Sequence, residues 1–149
     1  MAISDQGKII SLWAVFLFGT VFHTQLGLIP LFHGKSIVDP GVNPAADISW
    51  ILWLMLGFFV LPMIAIVMTA LTDEKLYRKT HFYLTIFYTL MNFLHVVLDL
   101  FVTPIVWPQI ALMVILLAVG ILLNLVSYRW MQEPLGELEW MKKWISSHT

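Results

Sequence analysis

Four uninterrupted apolar stretches, near residues 9–32, 48–71, 80–102 and 109–130, constrain this chain more than any other feature. Crossing a hydrocarbon core of roughly 30 Å takes about 20 helical residues, and each stretch reaches that length. Inside hydrocarbon every backbone N–H and C=O must find its partner within the segment, which a helix achieves and an isolated strand does not. The expectation is an all-α, integral membrane four-helix up-down bundle, with residues 1–149 forming a single four-span transmembrane domain. Composition agrees: 60% of residues are hydrophobic and 11% charged, with a mean hydropathy of +0.86, outside the usual range of soluble globules. The first stretch is too long for a secretory signal, continues through Pro30 and lacks a small-residue cleavage site, so it is expected to remain in the protein.

Charge sets the expected orientation. Lys8 precedes the first stretch, Lys75, Arg78 and Lys79 separate the second from the third, and Arg129, Lys142 and Lys143 accompany the end of the fourth, whereas Lys35 alone lies on the other side. The positive-inside rule then places both termini on the cytoplasmic face or its topological equivalent. The outer loop HGKSIVDPGVNPAAD ends in Asp47, a candidate N-cap for the second helix. In the inner loop Asp73 and Glu74 are candidates to cap the third, at the positive end of its dipole. Pro104 and Pro108 bracket a tight outer turn, and Pro62 is expected to kink the second helix. Residues 134–147 are too polar to cross; Leu138, Met141, Trp144 and Ile145 share one side, which predicts a short amphipathic C-terminal helix in the inner interface.

Several function classes drop out. A net charge of −1 supplies no basic field for nucleic acid. The absence of cysteine excludes disulfides, thiolate metal sites, iron–sulfur clusters and c-type haem attachment. There is no phosphate-cradling glycine loop, no Ser–His–Asp arrangement in register, and no two-histidine zinc-protease helix. The tryptophans near stretch ends read as an interfacial belt, and the scattered methionines as packing.

The third stretch is different in kind. His81, Thr85, Tyr88, Asn92, His95 and Asp99 recur at steps of four, three, four, three and four, forming one polar stripe on a helix. A central Asp costs on the order of 2.5–3.5 kcal/mol in hydrocarbon, so the stripe is expected to face protein or water. On the first helix His23 shares a seam with Phe16, Thr20, Gly27 and Pro30. In an up-down bundle the first and third helices run parallel, and His23 and His95 lie equally deep in their spans.

Two level imidazoles on diagonal helices suit the axial positions of one b-type haem. Thr20 or Thr24 beside His23, and Asn92 or Asp99 beside His95, would orient the other ring nitrogens. The spacing of His81 and His95 resembles the histidine pair that one helix of b-type membrane cytochromes uses to ligate two stacked haems. The first helix departs from that pattern, with His23 but no histidine near Lys8 or Ile9, so the resemblance implies one haem. The leading expectation is therefore a small electron-transfer protein with haem b between His23 and His95 and with Thr20 and Asn92 in support, coupled to quinone or a larger redox complex. Asp99 would modulate potential or protonation. A transport alternative uses His81, Tyr88, His95 and Asp99 as a proton or cation relay. A third reading is a non-catalytic accessory or assembly subunit whose seam only fixes packing. Coordination of a simple ion by His23, His95 and Asp99 is a less attractive reading than haem, since their donors would have to converge within about 2.0–2.2 Å of it, which a diagonal separation makes difficult and adjacent packing would permit.

Overall fold

The computed structural model describes residues 3–38, 41, 43, 45–102, 105–134 and 144–147. Among these the chain is helical and contains no strand. Four long helices, α1 (Asp5–Phe32), α2 (Ser49–Leu71), α3 (Lys75–Asp99) and α4 (Trp107–Gln132), are each long and apolar enough to cross a membrane. The stretch 144–147 is also helical; the rest of the expected amphipathic tail, residues 135–143, lies outside the described residues, as does Pro104.

The helix ends follow local chemistry. The Ser4 side chain accepts a hydrogen bond from the Gly7 N–H at 3.2 Å and Asp5 sits in the first turn, so α1 starts ahead of the apolar stretch it contains. Its other end closes when Gly34, at φ +70°, takes the left-handed conformation and donates its N–H to the Leu31 carbonyl at 3.1 Å. At the start of α2 the N-cap position belongs to Ile48, and Asp47 accepts from the Ser49 N–H at 2.8 Å. Pro62 lies inside α2, which continues through it.

Asp73 and Glu74 stand at the start of α3 as expected, but neither caps it by a side-chain hydrogen bond. Glu74 occupies the cap position without a side-chain hydrogen bond, and Asp73 is drawn elsewhere, to a buried guanidinium. Arg78 donates from Nε to Asp73 at 2.9 Å and from one terminal nitrogen to the carbonyls of Trp130 and Glu133, each at 2.8 Å. It thereby supplies donors to carbonyls at the end of α4, where the helix provides few of its own. The Trp130 indole completes the unit, donating to Asp73 at 3.1 Å and lying 5.3 Å below the guanidinium carbon. A charged fork outcompetes a cap because each of its bonds is charge-assisted.

Helix α1 packs on α2 and α4, and α3 packs on α4. Glycines set the close approaches. A Cβ on Gly19 would lie 2.3 Å from Leu116, one on Gly120 would lie 2.9 Å from Thr89, and one on Gly27 would lie 2.9 Å from the Gln109 amide. Side chains join α3 to α2: Tyr88 donates to the Phe58 carbonyl at 2.7 Å and Tyr77 to the Ala65 carbonyl at 2.8 Å. Across the middle, Trp13 and Phe16 of α1 meet Tyr88 of α3 edge-on, with centroids 5.3 and 6.1 Å apart.

The distribution of polarity is inverted relative to a protein folded in water. Thr69, Arg78, His81, Thr85, Asn92 and Ser127 are buried, while Phe18, Trp50, Trp53, Leu71 and Phe101 stand exposed.

Candidate metal centre

The stripe on α3 points inward over most of its length and then reaches the periphery. His81, Thr85, Tyr88 and Asn92 are buried, whereas the His95 side chain is 52% exposed and that of Asp99 23%. Helical geometry explains the change. At about 100° per residue, His95 stands about 40° to one side of His81, away from the arc that Asn92 and Val96 occupy on the other.

His23 of α1 and His95 of α3 lie at one level, their rings 5.2 Å apart between centroids and inclined at 82°. Asp99, one turn beyond His95, serves both. One carboxylate oxygen is 3.4 Å from His95 Nε2 and the other 3.7 Å from His23 Nε2. One donor atom from each residue lies within 4.8 Å of the other two. Bonds of about 2.0–2.2 Å to a tetrahedral ion imply donor separations of about 3.3–3.6 Å. The two carboxylate oxygens each stand near that separation from one imidazole, and the set with one donor per residue, within 4.8 Å, must draw together around an ion. Asp99 Oδ2 and His23 Nδ1 are buried without a hydrogen-bond partner, so the carboxylate has an atom to give to a ligand.

The surroundings come from α4 and the turn before it. Gln109, in the first turn of α4, donates its side-chain amide to the His23 carbonyl at 3.3 Å, an approach that Gly27 leaves open. A cleft of about 60 Å³ adjoins the site, lined by Asp99, Val102, Val106, Gln109 and Ile110. The sequence reading missed Gln109. Its signal was a lone amide at the start of an apolar helix, but the partner is a backbone carbonyl and leaves no mark in sequence.

The expected supporting residues make their hydrogen bonds elsewhere. Thr20 donates to the Phe16 carbonyl at 2.8 Å and Thr24 to the Thr20 carbonyl at 3.3 Å, both along α1 itself. Asn92 reaches across to α4, donating to the Met113 carbonyl at 3.4 Å.

The other stripe members form a separate, closed cluster. His81 is 1% exposed, and its Nε2 accepts from the Trp13 indole N–H at 2.9 Å, which places the ring proton on Nδ1. Tyr77 and Trp130 flank it at 5.9 and 5.7 Å between centroids. Thr85 donates to the Phe82 carbonyl. Trp13, Phe16, Phe58 and Tyr88 fill the axis between this cluster and the His23–His95–Asp99 group. His33 is exposed, and His148 lies outside the described residues.

Comparisons with protein-family models, with curated proteins and with solved structures give no match. The functional reading therefore rests on the site itself.

Proposed function

We propose that this chain is an integral membrane protein, an up-down four-helix bundle, that binds one divalent transition-metal ion through His23, His95 and Asp99. The inverted polarity supports insertion, because buried polar side chains beneath an apolar exterior suit a hydrocarbon solvent. The order of contacts supports the topology: Gly19 meets Leu116 and Gly27 meets Gln109, so α4 descends as α1 ascends, while Trp13 meets His81 and His23 meets His95, so α1 and α3 ascend together. The distribution of Lys and Arg favours cytoplasmic termini and puts the ion site toward the opposite face.

The observation that carries the metal reading is the convergence of three ligating residues within 4.8 Å. Two imidazoles and a carboxylate suit zinc or ferrous iron, and the absence of cysteine fits an N/O ligand set. An ion requires the three donors, now within 4.8 Å of one another, to draw closer together. Haem b, for electron exchange with quinone or a redox complex, makes a larger demand: its plane would have to enter between rings now 5.2 Å apart and move Asp99 aside. A relay from His81 to Asp99 would need water to pass the aromatic plug around Tyr88.

Metal analysis and an absorption spectrum of the protein purified in mild detergent, after supply of zinc, iron and haem, separate these readings. The ion reading requires about one bound metal per chain, lost in His23→Ala and His95→Ala, without a Soret band. A Soret band lost in the same variants would replace the ion by haem. Neither metal nor haem would leave the packing role.

A further inference from the structure

We infer that the ion held by His23, His95 and Asp99 keeps a coordination position open toward the cleft beside Asp99, where it carries an exchangeable water that Gln109 holds. This rests on the proposed metal site and adds what that site does. Three protein donors leave one position free on a tetrahedral ion and three on an octahedral one; closed four-ligand sets are structural, and open three-ligand sets bind exogenous molecules.

Two observations direct that position to the cleft. Asp99 is at once a ligating residue and a wall of the cleft, so the ion and the space share a boundary. The volume, about 60 Å³, exceeds the roughly 10–15 Å³ that one water needs.

Gln109 supplies the partner. Its Nε2 is committed to the His23 carbonyl at 3.3 Å, which fixes the amide plane and leaves Oε1 to accept a hydrogen bond. A water on the ion has two protons to donate, whereas an aprotic anion such as azide or chloride has none. The cleft therefore favours water, or a small neutral hydroxyl compound, over such anions. Val102, Val106 and Ile110 add apolar surface to its wall, and the volume limits the occupant to a small molecule.

The test loads the full-length protein in detergent with Co²⁺ and follows its visible d–d bands during titration with sodium azide. Expected are saturable band shifts in the wild type as azide replaces the water. Gln109→Leu should raise the apparent azide affinity about fivefold, because the displaced water has lost one hydrogen bond. Bands that appear with Co²⁺ but ignore azide would overturn the open position and leave the metal site standing. Azide binding unchanged in Gln109→Leu would overturn the role of Gln109 alone. Absence of Co²⁺ bands from folded wild type would overturn the metal reading, and this inference with it.

Discussion

Asp99 stands 3.4 Å from His95 Nε2 and 3.7 Å from His23 Nε2, one carboxylate shared between imidazoles from two helices. The group is assembled from the first and third helices, far apart in sequence, so it exists only when α1 and α3 are correctly in register. Metal binding should then report on the tertiary fold as well as on local chemistry.

The first prediction concerns the ligands. Alanine at His23 or His95, or asparagine at Asp99, should weaken Zn²⁺ binding by more than about 100-fold, since loss of an outer-sphere partner alone typically costs about 10–100-fold. Acid should weaken binding as well, because protons compete for the two Nε2 atoms. Competition titration with a chelating dye over a pH series reads both effects. His81→Gln serves as the contrast and should leave zinc affinity unchanged, because the ring is enclosed by Trp13, Tyr77 and Trp130, away from the site.

A second prediction concerns the clamp at the other end. Arg78→Ala should destabilise the protein by about 1–3 kcal/mol, the usual cost of leaving buried acceptors short of a donor, because the Asp73 carboxylate left behind is half exposed and keeps the Trp130 indole. Three acceptors, Asp73 and the carbonyls of Trp130 and Glu133, lose the guanidinium together, and among the described residues only Asp73 and Trp130 keep a second donor. Arg78→Lys should recover little of this, since one ammonium cannot reproduce the planar fork. Equilibrium unfolding in detergent measures both.

Trp13→Phe keeps most of the ring volume and deletes the indole N–H that His81 Nε2 accepts at 2.9 Å. His81 Nδ1 is already buried without a partner, so the variant leaves both ring nitrogens unpaired. The expected cost is about 1–3 kcal/mol in unfolding free energy. A stability equal to wild type would show that the hydrogen bond contributes nothing net.

Gly19→Ala tests the contact between α1 and α4. The added methyl would lie 2.3 Å from a methyl of Leu116, which is 1% exposed and has little room to retreat. Overpacking of this kind costs about 1–3 kcal/mol. Gly57→Ala, where the new methyl meets open space, should be neutral or slightly stabilising by thermal melting.

Outside the helices, hydrogen bonds from the Ser49 hydroxyl and then its backbone N–H hold the Asp47 carboxyl below its usual range. The ionised form is the one favoured by folding. Its contribution is therefore present above the carboxyl's unfolded pKa and lost as pH falls through the lower, folded value. Carboxyl NMR titration of Asp47 should show the depressed midpoint, and Ser49→Ala should move it upward.

Hydropathy located the apolar stretches, and the helices run past some of their ends, as the Asp73–Glu74 pair anticipates for α3. It measures how much chain suits hydrocarbon, whereas Ser4 and Asp5 extend α1, and Lys75 to Lys79 extend α3, through polar sequence that is equally helical. The level placement of His23 and His95 was legible because depth along a helix follows from counting residues. Their company was less so. The closeness of Asp99 to both rings depends on how α1 and α3 are rotated, and the hold of Gln109 on α1 depends on the missing side chain of Gly27. Asp73 shows the same limit: its spacing suited a helix cap, yet a guanidinium and an indole brought in by folding outweighed that local preference.

The most direct test of the shared centre is zinc K-edge X-ray absorption on the loaded protein. The account predicts two imidazole nitrogens at about 2.0–2.1 Å with carboxylate and water oxygens completing the shell, and loss of imidazole scattering in the His23→Ala, His95→Ala double variant. A first shell of oxygens alone, or imidazole scattering that survives in the double variant, would contradict it.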